Sequence, residues 1–353
     1  MQSKTSNDPD APADRDTPPQ SWRKSVLFAP AGESANGFHI PPSRPSILHL
    51  FDLARSHNDF LRVAAPMVRY SKLPFRATAR EYGTDVCFTP MIMSGVFKER
   101  RIARDVELET NDEDHPLVVQ FAANNAEDLV GATEYVARHV EGVDINCGCP
   151  QRWAIEEGIG CALMESPELV RDMVKQVKAR TDVPISIKIR LHTDLRRTVD
   201  LAQRAEHVGA AWVGIHGRTR RQRSTEEPNM DGVAVVASSL SVPTIVNGSV
   251  TSLSTARSAV SKTGCWGAMS ARGLLANPAM FDDAEYATTP IEAVQGFVKR
   301  AVEWGMQGRI AAQQVAWMME GVMTRQERRT FNALTSLPAI LDYFEEHYGI
   351  IIA

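Results

Sequence analysis

Two cysteines flank a single glycine in DINCGCPQRWA, residues 144–154, and a proline follows the second. Asp144 and Asn146 stand just upstream, at the end of a short apolar run. Residues of these types could bind a metal, exchange a disulfide, or hold out one thiol for chemistry. A zinc or iron–sulfur site asks for further ligands at recognisable spacing, and only Cys161 lies nearby. No CxxC motif occurs, which counts against a metal site and a redox pair alike. A lone thiol fits better, as a proton donor or a nucleophile. An ordinary thiol is mostly protonated near neutral pH and can act as a general acid. Cations beside it would pull it toward thiolate, so the two roles compete.

Other polar residues sit late in apolar runs: Gln120, Asn146, Lys188, Arg190, His216, Asn247 and Arg272. In ISIKIR (185–190), Ile185, Ile187 and Ile189 alternate with Ser186, Lys188 and Arg190, so one strand face carries two cations. Such cations need an anionic or electron-rich partner. Asp144 could supply it as a structural ion pair, and a bound cofactor that gathers negative charge is the alternative. NGS (247–249) and SARG (270–273) close two further apolar runs. Gly248 permits close backbone approach and Arg272 adds charge, which together suit a phosphate, although glycines also serve plain turns.

These residues need elements to position them. Eight β-rich runs recur: RVAAPM (62–67), TDVCFTPM (84–91), PLVVQFAA (116–123), GVDINCG (142–148), VPISIKIR (183–190), AAWVGIHGRT (210–219), VPTIVNGS (242–249) and GCWGAMSARG (264–273). Helix-length amphipathic segments such as PELVRDMVKQVKAR (167–180) separate most of them. Alternation of this kind predicts parallel pairing, and eight units predict a closed α/β TIM (β/α)8 barrel over residues 58–284. In such barrels the reactive groups stand at the C-terminal strand ends, where the polar residues above fall. From residue 285 to 353 the pattern is helical only, which predicts a small all-helical C-terminal domain. Residues 1–45, rich in Pro, Ser and Asp, are predicted to be disordered.

A net charge of −4 over 353 residues announces no nucleic-acid binder by global electrostatics. Local basic clusters nevertheless stand out: KERRIAR (98–104), HGRTRRQR (216–223) and RQERR (325–329). Ordinary solvated faces would look the same. HGRTRRQR follows a predicted strand end, where Arg218, Arg220 and Arg221 would face the rim and contact phosphate. Five irregularly spaced cysteines suit a reducing compartment. With no membrane-length apolar run and an acidic N-terminus, the expectation is a monomeric cytoplasmic or nuclear protein without a membrane or metal.

APM (65–67), TPM (89–91), VQFAANN (119–125), DINCGCPQRWA, IKIR, HGRT (216–219), NGS and ARGLLANPAMF (271–281) together resemble the tRNA-dihydrouridine synthase family. The resemblance runs from about residue 61 to the C-terminus. NCGCPQRWA, ARGLLANPAMF and ERRTFNALTS (327–336) look most like its eukaryotic branch acting on uridines 20a and 20b of the tRNA D-loop. The branch acting on positions 16 and 17 usually has Leu-Gly-Cys-Pro where this chain has Cys147-Gly148-Cys149-Pro150.

The resemblance implies an FMN-bound barrel, a helical domain that helps hold tRNA, and NADPH or NADH as reductant. Hydride would pass from the flavin to C6 of uracil while Cys149 protonates C5. FMN contacts carry over to Pro66, Met67 and Val68, then to Gln120, Lys188 and His216. At the last two strands they fall on Asn247, Gly248, Ser249, Ala271 and Arg272. Asn146, Arg190 and the rim arginines are the expected substrate contacts. Relatives commonly show NGD or NGN for NGS, and GR for AR, but backbone N–H groups bind phosphate whatever the side chain. Two other functions compete. An FMN barrel reductase of a free pyrimidine or small enone would have no use for the rim cations, and a non-catalytic tRNA-binding relative would have none for Cys149, Lys188 and His216.

Overall fold

A computed structural model of the chain describes residues 45–334 and 336–349, preceded by the short strands Gly32–Glu33 and His39–Ile40. The chain divides into two compact units, one within Met1–Ser43 and the other from Arg44 onward. In the first, the two short strands pair antiparallel. Most of the expected disordered segment, 1–45, lies outside the described residues.

In the second unit eight strands close a parallel barrel: β1 (Leu61–Ala64), β2 (Val86–Phe88), β3 (Leu117–Ala122), β4 (Gly142–Cys147), β5 (Ile185–Leu191), β6 (Val213–Thr219), β7 (Thr244–Asn247) and β8 (Gly267–Ser270). Each pairs with its sequence neighbours, β8 returns to β1, and β2 meets β3 to complete the ring. A two-residue strand, Ile92–Met93, adds to the edge of β3. All eight predicted runs supply one barrel strand each.

The crossovers follow from amphipathic spacing. Helix Pro167–Arg180 buries Val170, Met173, Val174 and Val177, at the offsets that share one face. Side-chain caps start several crossovers just past the strand ends. Asn125 accepts from the Asp128 amide, Asp194 from Arg196, and Ser252 forms a capping box with Thr255. These starts fix where each strand–helix turn lies, hence where the barrel mouth is.

One helix goes beyond the sequence expectation. Ile47–Ser56 precedes β1 and buries Ile47, Leu50, Phe51 and Ala54. Phe51 packs against Trp212 and Trp266, which stand just before β6 and β8, so this helix covers the end of the barrel away from the site. After β8 the strands stop and helices Ile291–Glu303, Gly308–Met318, Arg325–Asn332 and Leu337–Tyr348 follow. Phe297, Val315, Met318 and Phe344 from these helices belong to the same apolar core as the barrel. Arg300 of the first binds Glu81 on helix Leu73–Glu81, pinning the helical region to the barrel wall.

Candidate active site

At the C-terminal strand ends a pocket of about 160 Å³ opens, lined by Pro66, Gln120, Asn146, Cys149, Lys188 and His216, with Val68, Met91, Gly148 and Arg190 completing it. Residues from β1, β3, β4, β5 and β6 therefore converge, as the barrel reading predicts. The alternation in β5 works as expected: Ile185, Ile187 and Ile189 are buried in the core, while Lys188 and Arg190 reach the pocket.

The thiols separate cleanly. Cys87, Cys147, Cys161 and Cys265 are buried, and Cys149 alone is partly open. Burial pushes the Cys147 thiol well up and the Cys161 thiol to about 11, so neither is a ready proton donor or nucleophile. Cys147 and Cys149, two apart, face opposite surroundings. Among the described residues, no group of three or more His, Cys, Asp or Glu is arranged to hold a metal ion.

Hydrogen bonds fix the loop that carries Cys149. Asn146 Oδ1 accepts from the amides of Gly148 (3.1 Å) and Cys149 (2.8 Å). Asn146 Nδ2 donates to Gln120 Oε1 at 2.7 Å, and Gln120 Nε2 donates to Asp144 Oδ2 at 2.8 Å. Arg190 Nε donates to the Gly148 carbonyl at 2.8 Å. Asn146 is thus spent on the Cys149 loop even though it also borders the pocket.

Lys188 Nζ donates to Asn247 Oδ1 at 3.1 Å, and Asn247 Nδ2 is anchored on the Met269 carbonyl. The ion pair with Asp144 considered from sequence does not form. Ser186 donates to Asp144 Oδ1 at 2.6 Å, and Gln120 holds the other oxygen. Burial, then the Arg190 charge, lowers the Lys188 ammonium to about 8. Burial, then Lys188, Arg190, Arg218 and Arg272, drives His216 down to about 2, so its ring is neutral at any physiological pH. Four cations thus act on one half-buried imidazole, with Arg218 in direct contact.

Some expected site residues stand elsewhere. Met67 is buried in the apolar core, and its amide donates to Ser71 Oγ. Gly248 is buried with φ +128°, where a Cβ would come 3.2 Å from the His216 ring, so only glycine lets the backbone lie there. Ser249, Ala271 and Arg272 lie at the ends of β7 and β8 outside the pocket, and Arg272 donates to the Ser224 carbonyl. Arg218 needs correction as a rim residue. It is 3% exposed, and its guanidinium serves the Glu226 carbonyl, Ser249 Oγ and the edge of His216. A side chain so engaged braces the pocket wall and is not offered to solvent. Arg220 and Arg221 are exposed and border a second cleft of about 930 Å³, which shares the Cys149–Pro150 and Arg190–Leu191 segments with the pocket. Met91 lines the pocket without having been assigned a role; its TPM segment was the available signal.

Comparison with known proteins agrees with this architecture. The sequence model described as Dihydrouridine synthase (Dus) matches residues 62–338. A human protein named as a tRNA-dihydrouridine(20a/20b) synthase-like enzyme is 49% identical over 82% of this chain and 92% of its own length. The Saccharomyces cerevisiae protein named tRNA-dihydrouridine(20a/20b) synthase is 38% identical over 83% and 82%. A rat protein named as a tRNA-dihydrouridine(16/17) synthase-like enzyme is 34% identical over 62% of this chain and 51% of its own length. The match begins in the first barrel strand, takes in the partly open thiol of Gly148-Cys149-Pro150 and ends in the last C-terminal helix, and it places this chain in the dihydrouridine synthase family.

Proposed function

We propose that the chain reduces uridine to 5,6-dihydrouridine in the tRNA D-loop, at position 20a or 20b, with FMN as its bound cofactor and NAD(P)H as reductant. The observation that carries the reading is Cys149, the one partly open thiol, set in a pocket with Lys188 and the neutral His216. Similarity to the 20a/20b enzymes over most of both chains supports that position over 16 or 17.

The residues present fit a flavin nucleotide. Lys188 and Arg190 line the pocket, and Arg218 and Arg272 add positive charge felt at His216; that excess suits a phosphate and an electron-rich ring. Pro66, Val68 and Gln120 would flank the ring, with Lys188 and His216 at its edge. The pocket is small beside ligand clefts of about 300–1,000 Å³. Gly248, Ser249 and Arg272, outside it, would hold the remainder. A bound flavin supplies hydride transfer from the nicotinamide to C6 of uracil.

The chain's own residues do the rest. Lys188, fixed by Asn247, places a positive charge where negative charge gathers. His216, held neutral, donates or accepts a hydrogen bond without adding charge. Cys149 delivers a proton to C5 as its pair of electrons becomes available, and the Asn146 and Arg190 contacts keep its loop in place. The target base must leave its stack to enter so narrow a pocket. Its neighbours in the strand would then lie in the adjoining 930 Å³ cleft, with phosphates toward Arg220 and Arg221.

Single-turnover oxidation of flavin-reduced enzyme by unmodified tRNA tests this reading. Cys149→Ala should keep the flavin and its reduction by NAD(P)H but slow tRNA reduction by about 100 to 10,000-fold. Cys147→Ala should cost far less. Full activity of Cys149→Ala, or reduction of free uridine in preference to tRNA, overturns it.

A further inference from the structure

Asp144 stands directly behind the pocket, 1% exposed, in register with Gln120 on β3 and Ser186 on β5. It touches no pocket space, and the function proposed above gives it no task. Its hydrogen bonds nevertheless lead to the reactive loop. A carboxylate only accepts, so the Gln120 atom 2.8 Å from Asp144 Oδ2 has to be the amide nitrogen. The Gln120 oxygen then points the other way and requires a donor, which is Asn146 Nδ2 at 2.7 Å. That leaves Asn146 Oδ1 for the backbone amides of Gly148 and Cys149, which can only donate. Both ends of the relay independently demand the same orientation of two amide side chains.

We propose that Asp144 is a positioning residue for the Cys149 proton donor, acting through Gln120 and Asn146. This rests on the role given to Cys149 above. Without an acceptor at its root, the Gln120 amide is free to turn over. Asn146 would then face a second donor and have to turn as well, withdrawing its oxygen from the Cys149 amide. Packing alone does not call for an acid here: burial pushes Asp144 up to about 6, against the pull of Ser186, Gln120 and Lys188. The charge is held at a cost, and the fixed polarity of the relay is what it secures.

Three measurements on the flavin-bound enzyme decide the matter. Asp144→Leu keeps the shape and removes the acceptor, whereas Asp144→Asn can still turn its oxygen to Gln120. In single turnover with tRNA, Asp144→Leu should lose about tenfold or more, no more than the 100 to 10,000-fold range of the acid itself, with Asp144→Asn recovering most of it. In a Cys149→Ala background the same leucine substitution should cost almost nothing further, because members of one relay are not additive. Alkylation of Cys149 by iodoacetamide, followed on its peptide, should change severalfold in Asp144→Leu and return in Asp144→Asn. Reduction of the flavin by NAD(P)H should stay as it was.

An equal added loss in the Cys149→Ala background, an unchanged alkylation rate, or a matching loss of flavin reduction overturns the proposal. If Cys149→Ala proves fully active, the general-acid role fails instead, and the alkylation rates alone judge Asp144. Should Asp144→Leu not fold, Asp144→Ala removes the same acceptor with a smaller side chain outside the pocket and carries the same comparisons.

Discussion

Gly160 lies against the back of Cys149 so closely that a Cβ there would come 2.6 Å from the Cys149 carbonyl oxygen and 2.8 Å from its Cβ. The next residue, Cys161, donates its amide to that same carbonyl at 2.9 Å. Gly160 also has φ +62°, a conformation side chains resist. Gly160→Ala should therefore move the Cys149 loop without touching the flavin contacts. The expected outcome is normal flavin content and normal reduction by NAD(P)H, with tRNA reduction down by about tenfold or more, given that small misplacements at reacting centres cost that much. Equal activity would show that the loop yields without consequence.

Lys188→Met keeps length and removes charge. Because Lys188 is half-buried beside Asn247 and feels the Arg190 charge, the variant relieves an internal repulsion and should fold well. Flavin reduction should slow by about 100-fold, the scale of a lost preorganised donor. Stopped-flow absorbance at the flavin band checks this, and an unchanged rate would remove Lys188 from the cofactor's environment.

Arg220 and Arg218 should behave differently although two residues apart. Arg220→Ala and Arg221→Ala remove exposed charge, so each should lower the slope of tRNA affinity against salt by about 0.7 to 0.9 if it meets a phosphate. Arg218→Ala unties Glu226, Ser249 and His216. It should reduce thermal stability and flavin retention and leave the salt slope nearly intact. Titrations of tRNA at several salt concentrations separate the two classes.

His216 links the site to acid stability. Its folded pKa, about 2, lies below the ordinary value of 6.5, so between those values the unfolded chain binds a proton that the folded one does not. The stability this contributes is present above pH 6.5 and lost as pH falls through the window, at up to about 1.4 kcal/mol per pH unit. His216→Gln cannot titrate. In flavin-free protein its denaturation midpoint should fall less steeply than that of the parent between pH 6.5 and 5. Parallel curves would show that His216 is protonated in the fold.

The barrel was legible because each strand is a short apolar run ending in a polar residue and each crossover helix has its own period. Lys188 and Arg190 were placed by simple alternation with three isoleucines, and Cys149 by its neighbours in the Gly-Cys-Pro motif. Arg218 was not, because HGRTRRQR reads as one uniform basic string. Strand β6 runs through Thr219, so Arg218 still belongs to the sheet and points into structure, and the free arginines begin at 220. Asp144 was seen only as a partner for Lys188. Charge pairing is a short inference from composition, whereas a relay through two amides depends on side-chain orientation that no local pattern carries. Helix Ile47–Ser56 went unassigned because the polar tail before it masks where order begins.

Register also makes the barrel wall uneven. Strand β7 ends at Asn247, opposite His216, while β6 continues to Thr219. Against β5 the stretch from His216 to Thr219 spans a single step, Arg190 to Leu191, so it forms a bulged ledge on the order of 3 Å. The Arg190 guanidinium ties down its top through the Thr219 carbonyl. Arg220 and Arg221 thus leave from a braced edge. Ordering a flexible residue takes roughly 1–2 kcal/mol, and along this ledge folding has already done so before any polyanion arrives. Capture of a charged strand on that side then needs little rearrangement of the protein, and the slow part of recognition shifts to the nucleic acid, which has to unstack a base.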